Sequence, residues 1–298
     1  ATLLLRLHHI ANMNFFKSNS NENQSQFAQT RDRAGSQEQR AIQQQNNSTK
    51  REKSNTINFK PFFANLERKD SSKYKKLLQG FIRNGIVLTD SPEEQSAKAQ
   101  QFMIRMQNEL FHAWGQSEEE STVTGEGVEY CLMKNLHDRV FCISEEDQRR
   151  DQELSRKMRI HQFVRPEHIE IAPEYIVQRS MSFAMEHLRM LNKYKTPRDK
   201  VISIVNCCRI VSNMLLTSPH LKKPAGADEF FPLLVYVVLK AQPMKLRSNI
   251  NYIERFRGEV RRTSADEYYF TSVVSAVEFI ETISAKILNI SEAEYNVK

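Results

Sequence analysis

Residues 230–239 read FFPLLVYVVL, the longest apolar run in the chain, broken only by Pro232. A membrane-spanning helix needs roughly 20 such residues, so this run cannot span a bilayer. Being apolar on every side, it predicts a helix buried on nearly all its faces. Gln242-Pro243 ends it. A loop with two prolines, residues 217–225, leads into it. Such a helix needs packed layers on all sides, and the surrounding sequence supplies them as helices. Leu246, Ile250, Ile253 and Phe256 fall at helical spacing. Ser264-Ala265-Asp266-Glu267 reads as a capping box opening a helix with Tyr269, Val273, Val277 and Ile280 on one face. Upstream, Thr196-Pro197-Arg198-Asp199 caps a helix carrying Val201, Ile204, Val205, Cys208, Val211, Met214 and Leu215. Phe183, Ala184, His187, Leu188 and Leu191 share a further helical face, and Pro173 opens this second set.

A first set lies N-terminal to it. Tyr74, Leu77, Leu78, Phe81 and Ile82 repeat at i, i+3, i+4, i+7, i+8. Ser91-Pro92-Glu93-Glu94 is a capping box with Pro at the first helical position, and the helix carries Ala99, Phe102, Met106 and Leu110 to about Trp114. The polar stretch Glu118–Thr124 reads as a loop. Val128, Cys131, Leu132, Leu136 and Val140 mark another helix, and a highly charged one follows over Glu145–Val164. These make a bundle of about four helices. With 8 Gly and 9 Pro in 298 residues, the chain has too few turn-formers for an all-β fold. The fold class is all-α.

The N-terminal segment differs. Residues 17–59 hold 7 Asn, 8 Gln and 6 Ser and little to bury, which reads as disorder. The preceding ATLLLRLHHIANMNFF is interrupted by Arg6, His8 and His9, which argues against a signal peptide and leaves a transit peptide, a translated leader or a short docking helix open. Residues 1–71 carry 11 Lys/Arg against 6 Asp/Glu, so most of the net charge of +7 sits there. The remainder is nearly balanced, which weakens a nucleic-acid reading. Four cysteines without zinc spacing indicate a reduced, intracellular protein.

Catalytic templates are absent: there is no Gly-rich phosphate loop, no GxSxG and no HExxH. Arg255, Arg257, Arg261 and Arg262 cluster around Phe256, as a solvated helix end or as a patch for anionic lipid or acidic protein. Asp228 stands at a loop-to-helix junction before the apolar helix. It is either an N-cap, accepting backbone N–H bonds, or a functional carboxylate.

Taken together, PAGADEFFPLLVYVVLKAQP (224–243), SNINYIERFR (248–257) and EYYFTSVVSAVEFIETI (267–283) resemble the signature of the VPS-nine (vacuolar protein sorting nine) domain. YKTPRDKVISIVNCCRIVSNMLL (194–216) resembles its earlier helices. GVEYCLMKNLHDRVF (127–141), with the charged helix after it, is similar to the bundle that precedes this domain in Rabex-five-type proteins. The likeness covers about residues 75–298 and leans toward plant-type members without a zinc finger. It divides the chain into a disordered tail (1–71), a helical bundle (72–170) and a VPS-nine domain (171–298), the last two packed together.

The resemblance implies guanine nucleotide exchange on a Rab-five-type small GTPase, GDP-bound or nucleotide-free, with no covalent chemistry and no cofactor or metal of the protein's own. Asp228 matches the aspartate finger. Tyr268 matches a GTPase-binding tyrosine, Pro232 and Thr271 match positions lining the groove for the switch regions, and Asn249 matches a structural position. A cytoplasmic protein recruited to endosomes or prevacuolar membranes, with peripheral membrane association and no nucleic-acid partner, goes with this reading. Ser264-Ala265 depart from the usual Gly-Glu, and the loop from Gly258 to Thr263 differs as well, so the departure falls on the loop contacts with the GTPase. A helical GTPase-binding scaffold without exchange activity is the alternative.

Overall fold

The structure, a computed structural model, describes residues 57–217, 227–257, 262–288 and 290–297. All regular structure among them is helical, as expected: α1 (Lys60–Leu66), α2 (Ser72–Asn84), α3 (Pro92–Trp114), α4 (Glu118–Val140), α5 (Glu145–Ile160), α6 (Gln178–Arg189), α7 (Pro197–Leu216), α8 (Ala227–Ala241), α9 (Leu246–Arg257), α10 (Ser264–Thr282) and α11 (Glu292–Val297), with short 3₁₀ turns between some of them. No helix among the described residues is long and apolar enough to cross a membrane.

The caps read from sequence explain several starts. Ser91 Oγ accepts from the Glu94 amide while the Glu94 carboxylate accepts from the Ser91 amide, closing the box before α3. Thr196 Oγ1 accepts from the Asp199 amide before α7. Two starts differ. α10 is capped one residue early, by Thr263 Oγ1 accepting from the Asp266 amide. The stretch read as a loop, Glu118–Thr124, is helix: Ser117 and Glu120 form a reciprocal box, and three glutamates in the first turn complement the positive helix terminus. Its polarity reflects a first turn that faces water. Gly125 and Gly127 further along α4 serve close packing rather than a turn. A Cβ at Gly127 would lie 2.6 Å from the Phe62 ring.

Phe62 belongs to α1, inside the segment assigned to the tail. Residues 57–71 are built into the bundle: Phe62 and Leu66 are buried, Phe59 stacks on Tyr130 at 4.9 Å between centroids, and Trp114 Nε1 donates to Ser71 Oγ. Three phenylalanines within five residues supply the apolar area that the Asn/Gln-rich stretch lacks. The rest of the expected tail, residues 1–56, lies outside the described residues.

Two apolar cores result. One is built from α1–α4, with Leu78, Phe102, Met106, Leu132 and Leu136 at its centre. The other gathers α5–α8 and α10. The charged helix α5, counted with the bundle from sequence, gives Leu154 and Met158 to this second core. In α6 the buried stripe is Met181, Ala184 and Leu188, whereas Phe183 turns out to solvent beneath the Arg179 guanidinium. α8 is enclosed as its composition demands: Leu233, Leu234, Val235, Val237, Val238 and Leu239 are all buried. α9 serves both cores, with Ile250 and Ile253 in the second and Tyr252 and Phe256 in the first.

Candidate functional site

α8 opens beside α10, and their first turns form one surface. Phe230 is 6% exposed and its ring lies 6.2 Å from that of Tyr268, nearly parallel, and 6.1 Å from that of Tyr269. Tyr268 and Tyr269 are themselves 5.4 Å apart. This aromatic group welds the two helix starts together. Tyr268, at 45% exposure, presents its ring to solvent. Thr271, half-buried one turn further on, shares that side of α10 and donates from Oγ1 to Glu267 Oε1 at 3.4 Å.

Asp228 is the second residue of α8 and exposed, two positions before Phe230. It lies within the first helical turn, not ahead of it. The position that would cap the helix, residue 226, and residues 218–225 lie outside the described residues. Two carboxylates, Asp228 and Glu229, lie in this first turn, at the positive end of the helix. Pro232 sits inside α8 and is buried. Lacking an N–H, it cannot bond the carbonyl four residues back, which is that of Asp228. The structure thus brings Asp228, Tyr268 and Thr271 to one end of the α8–α10 pair and sets Pro232 behind them, as a buried constraint on the helix.

Asn249 lies elsewhere, wholly buried. Its Oδ1 accepts from Lys200 Nζ at 2.7 Å, and its Nδ2 donates to Asn192 Oδ1 and to the Lys245 carbonyl. Lys200 also donates to the Leu191 carbonyl, and its ammonium lies 4.6 Å from the Phe141 ring centroid. Burial pushes this ammonium down from 10.5 to about 7.

The arginine cluster read as a solvated helix end is mostly paired. Arg255 Nη1 meets Asp147 Oδ2 at 2.7 Å. Arg257, buried, is held by Glu129 and Glu126 at 3.0 and 2.9 Å, and Arg198 reaches Glu126 at 3.3 Å. Burial opposes the Arg257 charge, and the two glutamates restore it. Arg262 pairs with Glu267. Arg261 lies outside the described residues. The partners of Arg255 and Arg257 are far apart from them in sequence, so no local pattern shows those pairs. The one local signal is that Glu126 and Glu129, at i and i+3, fall beside the apolar stripe Val128, Leu132, Leu136 of α4.

Residues 181–285 match the model of the Vacuolar sorting protein 9 (VPS9) domain. The chain carries a VPS9 domain. This domain contains α6–α10 almost entire, and with them the surface around Asp228 and Tyr268. Beyond the domain, the chain is 39% identical over 244 residues to Vacuolar protein sorting-associated protein 9A of Oryza sativa subsp. japonica, covering 80% of this chain and 51% of that protein. The protein of the same name from Arabidopsis thaliana is 36% identical over 241 residues, 78% of this chain and 46% of its own. The Rab5 GDP/GTP exchange factor of Homo sapiens is 32% identical over 213 residues, 69% of this chain and 43% of its own. The chain thus spans about half the length of the curated relatives it matches. These matches extend well past the VPS9 domain, in keeping with the expected likeness to plant-type members.

Proposed function

We propose that this chain is a guanine nucleotide exchange factor for a Rab-five-type GTPase in endosomal or vacuolar trafficking, and that Asp228 is the group that drives nucleotide release. The observation that carries this reading is an exposed carboxylate in the first turn of an enclosed helix, two residues before the phenylalanine on which an exposed tyrosine of a neighbouring helix stacks. The name of the human relative points the same way.

The chemistry follows from what holds a nucleotide in a small GTPase, namely the P-loop lysine and a Mg²⁺ ion bridging the phosphates. A carboxylate brought to that site gives the lysine a competing anion and sets a like charge near the β-phosphate. At an effective dielectric of ~20, a unit-charge contact at about 4 Å is worth about 4 kcal/mol. Since ~1.4 kcal/mol is tenfold in an equilibrium constant, one carboxylate can shift nucleotide retention by orders of magnitude. The energy is delivered only if the carboxylate is accurately placed. The buried α8, with its Phe230–Tyr268–Tyr269 weld to α10, provides that support. Tyr268 and Thr271 would take the partner's switch residues, with Pro232 holding the wall behind them. The chain does no covalent chemistry.

The second reading, a GTPase-binding scaffold without exchange, draws on Ser264-Ala265 standing where the resembled motif has Gly-Glu. Release of fluorescent GDP from a Rab-five-type GTPase, measured alongside binding, separates the two. Exchange predicts release that accelerates with chain concentration. Binding with unchanged release would establish the scaffold.

A further inference from the structure

α10 begins in an unusual way. A helix start is often stapled by two apolar residues, one just before the N-cap and one at the fourth helical position, and their contact fixes the direction in which the chain enters. Here Thr263 is the N-cap, so the staple positions are Arg262 and Glu267. They form an ion pair instead: Arg262 Nε meets Glu267 Oε2, and Nη2 donates to Oε1 at 3.3 Å. The guanidinium carbon also lies 4.6 Å from the Phe270 ring centroid. Arg262 therefore grips the residue just before Tyr268 and the residue two after it. The same Glu267 oxygen accepts from Thr271 Oγ1.

This arrangement is costly. The Arg262 side chain is 4% exposed, and its Nη1 is buried with no hydrogen-bond partner among the described residues. A cation beside a helix N-terminus is also repelled by the helix dipole. A leucine at 262 would staple the helix without these penalties. What arginine adds is a planar fork that fixes the Glu267 carboxylate and a flat face that fixes Phe270.

We infer that Arg262 is a positioning residue, holding the first turn of α10 so that Tyr268 and Thr271 meet the GTPase already ordered. This rests on the exchange reading for its consequence, though not for its local effect. A preordered surface has less entropy to lose on binding, so the loss falls on affinity rather than on the release step.

The test uses the full chain with Arg262→Met, which keeps the packing on Phe270 and removes the fork, and with Glu267→Gln, which removes the charge from the other side. In the free protein, both should speed amide exchange over residues 264–268 and leave α8 unchanged. In GDP release from a Rab-five-type GTPase, both should raise the half-saturating chain concentration about tenfold with the maximal rate within about twofold. Unchanged amide exchange at 264–268 would overturn the inference whatever the exchange activity. So would a lower maximal rate at an unchanged half-saturating concentration. If Arg262→Met does not fold, Glu267→Gln, whose side chain is 37% exposed, carries the same test. A wild-type chain that releases no nucleotide would refute the exchange reading alone, since amide exchange needs no GTPase.

Discussion

Lys200 shows how far a single residue can depart from what its sequence context announces. In TPRDKVISIV it looks like an ordinary first-turn cation, yet it is wholly buried between Asn249 and the Leu191 carbonyl. Its folded value of about 7 lies below the unfolded 10.5, so the unfolded chain binds the extra proton between those values. Stability should therefore rise with pH from about 7 toward 10.5, the penalty being greatest below 7. Thermal melts from pH 7 to 9 should show this slope in the wild type, and Lys200→Met should flatten it. An equal slope in both proteins would place the proton elsewhere. Tyr268 makes a complementary case, because its exposure suits the GTPase-binding role proposed for it. Tyr268→Ala should cost about 2 kcal/mol or more of GTPase binding, as a hot-spot tyrosine does, with circular dichroism still helical. Asp228 and Tyr268 were legible in the sequence through the resemblance alone. Composition left Asp228 as a possible N-cap, a reading its place inside the first turn does not support.

At the scale of elements, legibility followed locality. Ser91 and Thr196 announce helices because a cap acts within four residues. Glu118–Thr124 misled because its polarity marks an exposed first turn as well as it marks a loop, and the deciding Ser117–Glu120 box begins one residue earlier. The ion pairs that join α4, α5 and α9 were unreadable: Arg257 and Glu129 are 128 positions apart. Those pairs also make a prediction. Arg257→Met removes the guanidinium shared by two buried carboxylates, leaving Glu126 to Arg198, and losing one partner of a buried cluster costs about 3–5 kcal/mol, measurable by urea unfolding. Adding Glu126→Gln and Glu129→Gln should recover part of that loss. A near-neutral Arg257→Met would show the cluster to be solvated in solution.

Among the described residues the two cores are joined because they share α9. Tyr252 and Phe256 fill the bundle core while Ile250 and Ile253 fill the other, and Asp147 and Asp151 of α5 bind Arg255 and Ser248 of α9. A fragment from residue 172 onward would expose those aromatics and leave Arg257 without its glutamates. It should be poorly soluble or lack a cooperative melt, whereas the full chain should unfold its two cores together; a cooperatively melting 172–298 fragment would show them to be independent. Under the proposed function, this body fixes one exposed carboxylate, Asp228, in the first turn of α8. Asp228→Asn tests that claim most directly, because it keeps the size and hydrogen-bonding capacity of the side chain and removes only its charge. Measured by GDP release from a Rab-five-type GTPase, the variant should lose nearly all acceleration while still binding the GTPase. Release at the wild-type rate would contradict the claim.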